Sequence, residues 1–157
     1  MNIMRTKKYF ILVFLIIGVQ VQAQIRGQVQ FNREAINTMK ENSFDKIITD
    51  ENLFIEDPGS PELPILLKSY LIPVDADKVT VNVQNESKQE IKGQYNVYPA
   101  QPPVLTGNVN SIFTTSNPKI YESNNPYPGK QAEIISDGIY MGYRIITVRL
   151  YPVEYIP

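Results

Sequence analysis

Ile139-Tyr140-Met141-Gly142-Tyr143-Arg144-Ile145-Ile146-Thr147-Val148-Arg149-Leu150-Tyr151-Pro152-Val153 is dense in β-branched and aromatic residues, the side chains that fit an extended, half-buried backbone. Ile146, Val148 and Leu150 fall on one face, and Tyr143, Ile145, Thr147 and Arg149 on the other. The run therefore reads as one long strand, broken where Pro152 has no N–H to give to a ladder. Working outward, residues 63–73 begin and end near prolines and read as a second strand. Residues 78–84 alternate polar side chains with Val79, Val81 and Val83, the pattern of a half-buried strand. Residues 89–98 read as a fourth, with Gly93 at a bulge.

The connections are proline-rich. Asp57-Pro58-Gly59-Ser60-Pro61 suits a type II turn, with Pro at its second position and Gly at its third. Residues 99–110 and 116–130, rich in Pro, Asn, Gly and Ser, read as loops too polar and broken for helix. The one helical expectation is residues 33–41, weakly amphipathic and without a strong cap. Short strands, proline-rich loops and almost no helix predict an all-β fold, an antiparallel β-sandwich.

The 157 residues include no Cys, no His and no Trp. Disulfides, thiolate nucleophiles and Cys-based zinc sites are excluded, as are imidazole ligands and His-dependent triads. No cofactor or metal is expected. Asp75 and Asp77, with Glu62 upstream, could be paired carboxylates or a calcium site. A solvated turn is the better reading, because the alternating oxygen donors around a Gly are missing. Arg144, on a strand, reads as a structural cross-strand partner. Most of the tyrosines read as core and rim of the fold. Tyr121 and Tyr127, in the 116–130 loop, are the candidates for contact, and Lys119 and Lys130 are the loop cations that accompany them.

The first residues form an address. Arg5, Lys7 and Lys8 precede an uncharged apolar run over residues 9–19, and Val21-Gln22-Ala23 offers small residues before a cut at Gln24. That is the layout of a secretory signal peptide over residues 1–23. The run is shorter than the roughly 20 apolar residues of a membrane span. The remaining 24–157 form a single domain of 134 residues with 12 Lys+Arg against 16 Asp+Glu, and no basic stripe for nucleic acid. The expected location is exported, periplasmic or secreted, with no stable membrane span after cleavage.

Three segments in this order and spacing resemble the amino-terminal prodomain of gingipain-type cysteine peptidases. They are Pro58-Gly59-Ser60-Pro61-Glu62-Leu63-Pro64 followed by Leu71-Ile72-Pro73; Asn96-Val97-Tyr98-Pro99-Ala100-Gln101-Pro102-Pro103; and Gly142-Tyr143-Arg144 running on to Leu150-Tyr151-Pro152-Val153. The resemblance covers essentially residues 24–157. It implies a β-sandwich that helps a peptidase fold, keeps it latent and is cleaved away, in a protein exported by Bacteroidetes, commonly through type IX secretion. The partner it implies is the cognate cysteine peptidase catalytic domain, in cis or in trans. That domain carries a His and a Cys, and this chain has neither, so no catalytic residue carries over. The apolar end over residues 151–157 reads as continuing into a longer precursor.

In gingipains the prodomain offers a basic side chain to an acidic specificity pocket. Loop position and charge, with no aligned motif, make the 116–130 loop the natural place for that role here, on Lys119 first and Lys130 second, with Tyr121 and Tyr127 beside them. The alternative is a stand-alone secreted β-sandwich that binds glycan or cell-surface material on Tyr121 and Tyr127.

Overall fold

A computed structural model describes residues 24–50, 53–84, 87–103 and 112–157. The proposed signal peptide, residues 1–23, lies outside them, as do residues 104–110 of the first proline-rich loop. The chain divides into two units, Met1–Gln30 and Phe31–Pro157. In the first, residues 24–30 have no regular structure, and Arg26 donates to the Gln24 side-chain carbonyl at 3.2 Å.

Among its described residues, the second unit is nearly all-β, with one short α-helix. Strands β1 (Asn37–Glu41) and β2 (Phe44–Ile48) form an antiparallel hairpin. Its two connecting residues, Asn42 and Ser43, both have positive φ, +49° and +69°. A two-residue hairpin loop requires that left-handed pair to match the twist of its strands. Strands β3 (Leu66–Ile72), β4 (Ala132–Tyr140) and β5 (Tyr143–Leu150) form an antiparallel sheet with β5 in the centre. Between Ile134 and Ser136 the β4 register slips, so Ile135 is the extra residue of a bulge and stands 40% exposed.

The all-β antiparallel expectation holds, and several element expectations are corrected. The run over 139–153 is not one strand. Met141 and Gly142, at φ +49° and +82°, turn the chain, so Ile139 and Tyr140 close β4 while Tyr143 opens β5. Residues 33–41 are not helical: after a single 3-10 turn, Arg33–Ala35, the chain enters β1, where pairing to β2 outweighs a weak, uncapped helical preference. Residues 78–84 and 89–98 join no named strand, and of these Val97 alone makes a bridge, parallel to Asp45. Alternation supplies an amphipathic ribbon, but a ladder also needs a partner edge in register. The strand expected over 63–73 is present as β3, preceded by isolated bridges.

Those bridges build the core. Pro61 pairs with Pro99 and Phe54 with Pro64, each antiparallel. Ile55 and Ile65 donate to Leu63 and Leu53, both at 2.9 Å. Ile47, Ile55, Leu63, Ile65 and Val97 cluster there, with Leu63 only 1% exposed. Pro61, Pro64 and Pro99 are as deeply buried. A proline brings no N–H to satisfy, so these residues give the interior apolar volume without the cost of an unpaired donor.

Candidate functional site

The Asp57–Ser60 turn has the geometry its sequence predicts. Ser60 N–H donates to the Asp57 carbonyl at 3.0 Å, Gly59 sits at φ +83°, and the Ser60 hydroxyl donates to the Asp57 carboxylate at 2.8 Å. A type II turn needs positive φ at that third position, which glycine supplies without steric cost. The turn lies directly against the second proline-rich motif. Gly59 N–H donates to Ala100 O at 2.9 Å, Ala100 N–H to Ser60 O at 2.8 Å, and Glu62 N–H to Tyr98 O at 2.9 Å.

Together the two motifs hold the segment that carries Lys119. Gln101 turns its side-chain amide onto Thr114: Oε1 accepts the Thr114 N–H at 2.8 Å, and Nε2 donates to Thr114 O at 3.0 Å and to Pro99 O at 2.7 Å. Asn117 N–H donates to Gly59 O at 2.9 Å. Asn117 then caps helix α1 (Pro118–Tyr121), its Oδ1 accepting the Lys119 N–H at 3.1 Å. An Asn cap followed by Pro at the first helical position is a start signal, and it overrides the expectation that 116–130 contains no helix. Lys119 is exposed on this turn, and its ammonium makes no ion pair with any described residue.

Lys130 stands apart from Lys119 in its bonding. Its ammonium is hydrogen-bonded to Glu133 and lies 5.6 Å from the centre of the Tyr151 ring. The Glu133 bond raises the lysine's pKa, and the same bond, then the Tyr151 hydroxyl, lowers that of Glu133. Arg149 approaches Glu133 at 3.5 Å. The two loop tyrosines turn inward. Tyr121 donates its hydroxyl to Val97 O at 2.8 Å, packs its ring 5.9 Å from that of Tyr155, and has its pKa raised by burial. Tyr127 forms a two-bond bridge with Tyr155 and packs on the core cluster.

The remaining charged residues have other settings. Asp75 and Asp77 are exposed beyond β3, and no group of three acidic residues poised for a metal occurs among the described residues. Glu62 faces Lys46 and Glu41, and burial raises its pKa. Its Oε2 is buried without a hydrogen-bond partner among the described residues. Arg144 grips Asp137 with two bonds, 2.8 and 2.7 Å, and donates to Ala76 O, tying β4 and β5 to the turn after β3. Gln101 and Asn117 escaped the sequence reading as functional residues. The Asn-Pro pair was a signal for the cap; nothing in the sequence points to the Gln101 amide.

Comparison with known proteins agrees with this architecture. The Propeptide_C25 family profile matches residues 19–157. A solved complex of the pro- and mature domains of RgpB from Porphyromonas gingivalis superposes with a TM-score of 0.59 at 19% identity, covering 78% of this chain and 64% of that one. A structure addressing the zymogenic latency of gingipain K from the same organism gives 0.58 at 23% identity, covering 77% and 69%. This chain thus spans somewhat under two thirds of the length of the RgpB chain it matches. No curated protein matches it. The chain belongs to the Propeptide_C25 family. Among the described residues, no helix is long and apolar enough to cross a membrane.

Proposed function

We propose that this domain holds a C25 cysteine peptidase latent by presenting Lys119 to an acidic specificity pocket, and that it assists the folding of that peptidase. The observation that carries the reading is the setting of Lys119: an exposed ammonium without an ion pair among the described residues, on a helical turn whose cap residue Asn117 donates its backbone N–H to Gly59 of the first proline-rich motif and whose Tyr121 hydroxyl donates to Val97 of the second. Lys130 is the weaker choice, because a pocket would have to draw it away from Glu133. A lysine in such a pocket is an anchor, since its loss strands a buried carboxylate. The complete precursor is then a cysteine endopeptidase, with residues 1–23 as its export signal and 24–157 as the prodomain. Export from a Bacteroidetes cell by the type IX route accords with this reading.

The test is inhibition of the peptidase domain encoded in frame with this chain, by the native chain and by Lys119→Ala and Lys130→Ala. Weakened inhibition on losing Lys119 supports the reading, and unchanged inhibition in both variants ends it. The glycan-binding alternative draws no support from Tyr121 and Tyr127, whose hydroxyl or backbone is already engaged within the domain.

A further inference from the structure

We propose that Gln101 is a positioning residue for Lys119, with the Gly59 carbonyl as its second point of hold. The inference rests on the reading of Lys119 as the pocket residue, and it adds what keeps that residue in one place. Residues 112–119 contribute little to the interior: Ile112 is 90% exposed, and Pro118 and Lys119 are exposed too. Phe113 reaches back to Phe44 and Tyr98, with ring centres 6.0 and 5.8 Å away. Beyond it, a surface segment with so little apolar burial is ordinarily free to open.

Hydrogen bonds close that freedom at intervals. Thr114 is paired through both its N–H and its C=O, as a residue in a β-ladder would be, but its partner is the Gln101 side chain. Asn117 is fastened to Gly59 O, the Lys119 N–H to the Asn117 side chain, and the Tyr121 hydroxyl to Val97 O. Lys119 sits between these fastenings. At Gly59 the fit is tight: a Cβ there would stand 3.1 Å from Thr115 O, in addition to the strain of φ +83°. Gln101 and Gly59 belong to the two proline-rich motifs, so those motifs converge on the backbone that displays the lysine. Ordering such a segment before encounter removes that cost from binding.

The experiment uses the full chain, as Gln101→Ala and Lys119→Ala singly and together, with trypsin as the probe of local opening. Cleavage after Lys119 requires the helical turn to open, whereas cleavage after Lys130 reports on a segment Gln101 does not touch. Gln101→Ala should speed cleavage after Lys119 by about tenfold or more, leave cleavage after Lys130 unchanged, and abolish hydrogen-exchange protection at the Thr114 amide. Unchanged cleavage after Lys119, or equal acceleration at both sites, overturns the proposal. Against the in-frame peptidase, Gln101→Ala should weaken inhibition in the native background and add nothing to Lys119→Ala; an independent, additive loss also overturns it. If Lys119→Ala alone leaves inhibition intact, the pocket reading fails, while the proteolysis result still decides whether Gln101 holds the segment.

Discussion

The Asp45 carboxylate accepts the backbone N–H of Asn96 at 2.8 Å, joining β2 to a segment 51 residues further along. Backbone bonds frame that contact, Asp45 N–H to Asn96 O at 2.7 Å and Tyr98 N–H to Asp45 O at 3.0 Å. Asp45 is 7% exposed, and its outer oxygen meets Lys40 at 2.7 Å. One carboxylate thus replaces a rung that a parallel strand would supply.

Asp45→Ala should cost about 1.5–3 kcal/mol, the range for hydrogen bonds to a charged group. Most of that belongs to the Asn96 bond, since the Lys40 side chain is largely exposed and such ion pairs are weak. The Lys40 contact, reinforced by the Asn96 N–H, holds the Asp45 pKa below its ordinary 3.8. A lowered folded-state pKa gives stability that is present above 3.8 and lost as pH falls through the folded value. Urea melts at pH 7 and near pH 3 should show the Asp45→Ala penalty shrinking in acid.

Leu63→Ala should destabilise the domain by about 2–5 kcal/mol, because a side chain at the centre of the core leaves a cavity that rigid neighbouring prolines cannot fill. Leu71→Ala, on a residue 63% exposed, should stay within about 0.5 kcal/mol. Paired denaturation curves check the contrast.

Glu62 behaves in the opposite sense to Asp45. Burial raises its folded-state pKa above 4.5, with Lys46 partly opposing and Glu41 reinforcing the shift. Its contribution is therefore fully present below pH 4.5 and is lost as pH rises through the folded value. Glu62→Gln should raise the melting temperature at pH 7 and flatten the decline between pH 4.5 and 7. Thermal melts across that range, on native chain and variant, read it directly.

On the proposed pocket reading, Lys119→Ala should weaken inhibition of a C25 cysteine peptidase by about 2–5 kcal/mol, roughly 30-fold to several thousandfold. Lys130→Ala should change inhibition little and stability by no more than about 1 kcal/mol, the worth of an exposed ion pair. Inhibition constants measured alongside denaturation curves separate the two effects.

β5 was legible in the sequence because one of its faces is the more deeply buried. In β5, Ile146 and Val148 are buried between less buried neighbours, and the period of two follows. β1 gave no such pattern: Asn37, Thr38, Met39 and Lys40 are all exposed, so only pairing to β2 defines it. The β4–β5 turn was hidden because Met141, rather than Asn or Gly, holds the first left-handed position, at a cost of about 1 kcal/mol. The 57–60 turn was legible because Pro58 and Gly59 each match a fixed backbone angle. The hold on Lys119 was not, since Gln101 reaches Thr114 across 13 residues by a side-chain contact that no local periodicity encodes.

The proline-built interior has a consequence for anyone watching this domain unfold. Pro61, Pro64 and Pro99 carry no exchangeable amide hydrogen, so the deepest part of the molecule is sparsely labelled by deuterium. Opening of that region would register at the few amides set beside those prolines, among them Glu62, Leu63 and Ala100. With no tryptophan in the chain, the natural optical reporter is Tyr98, edge-on to both Phe44 and Phe113, whose near-ultraviolet dichroism should vanish when the prolines part.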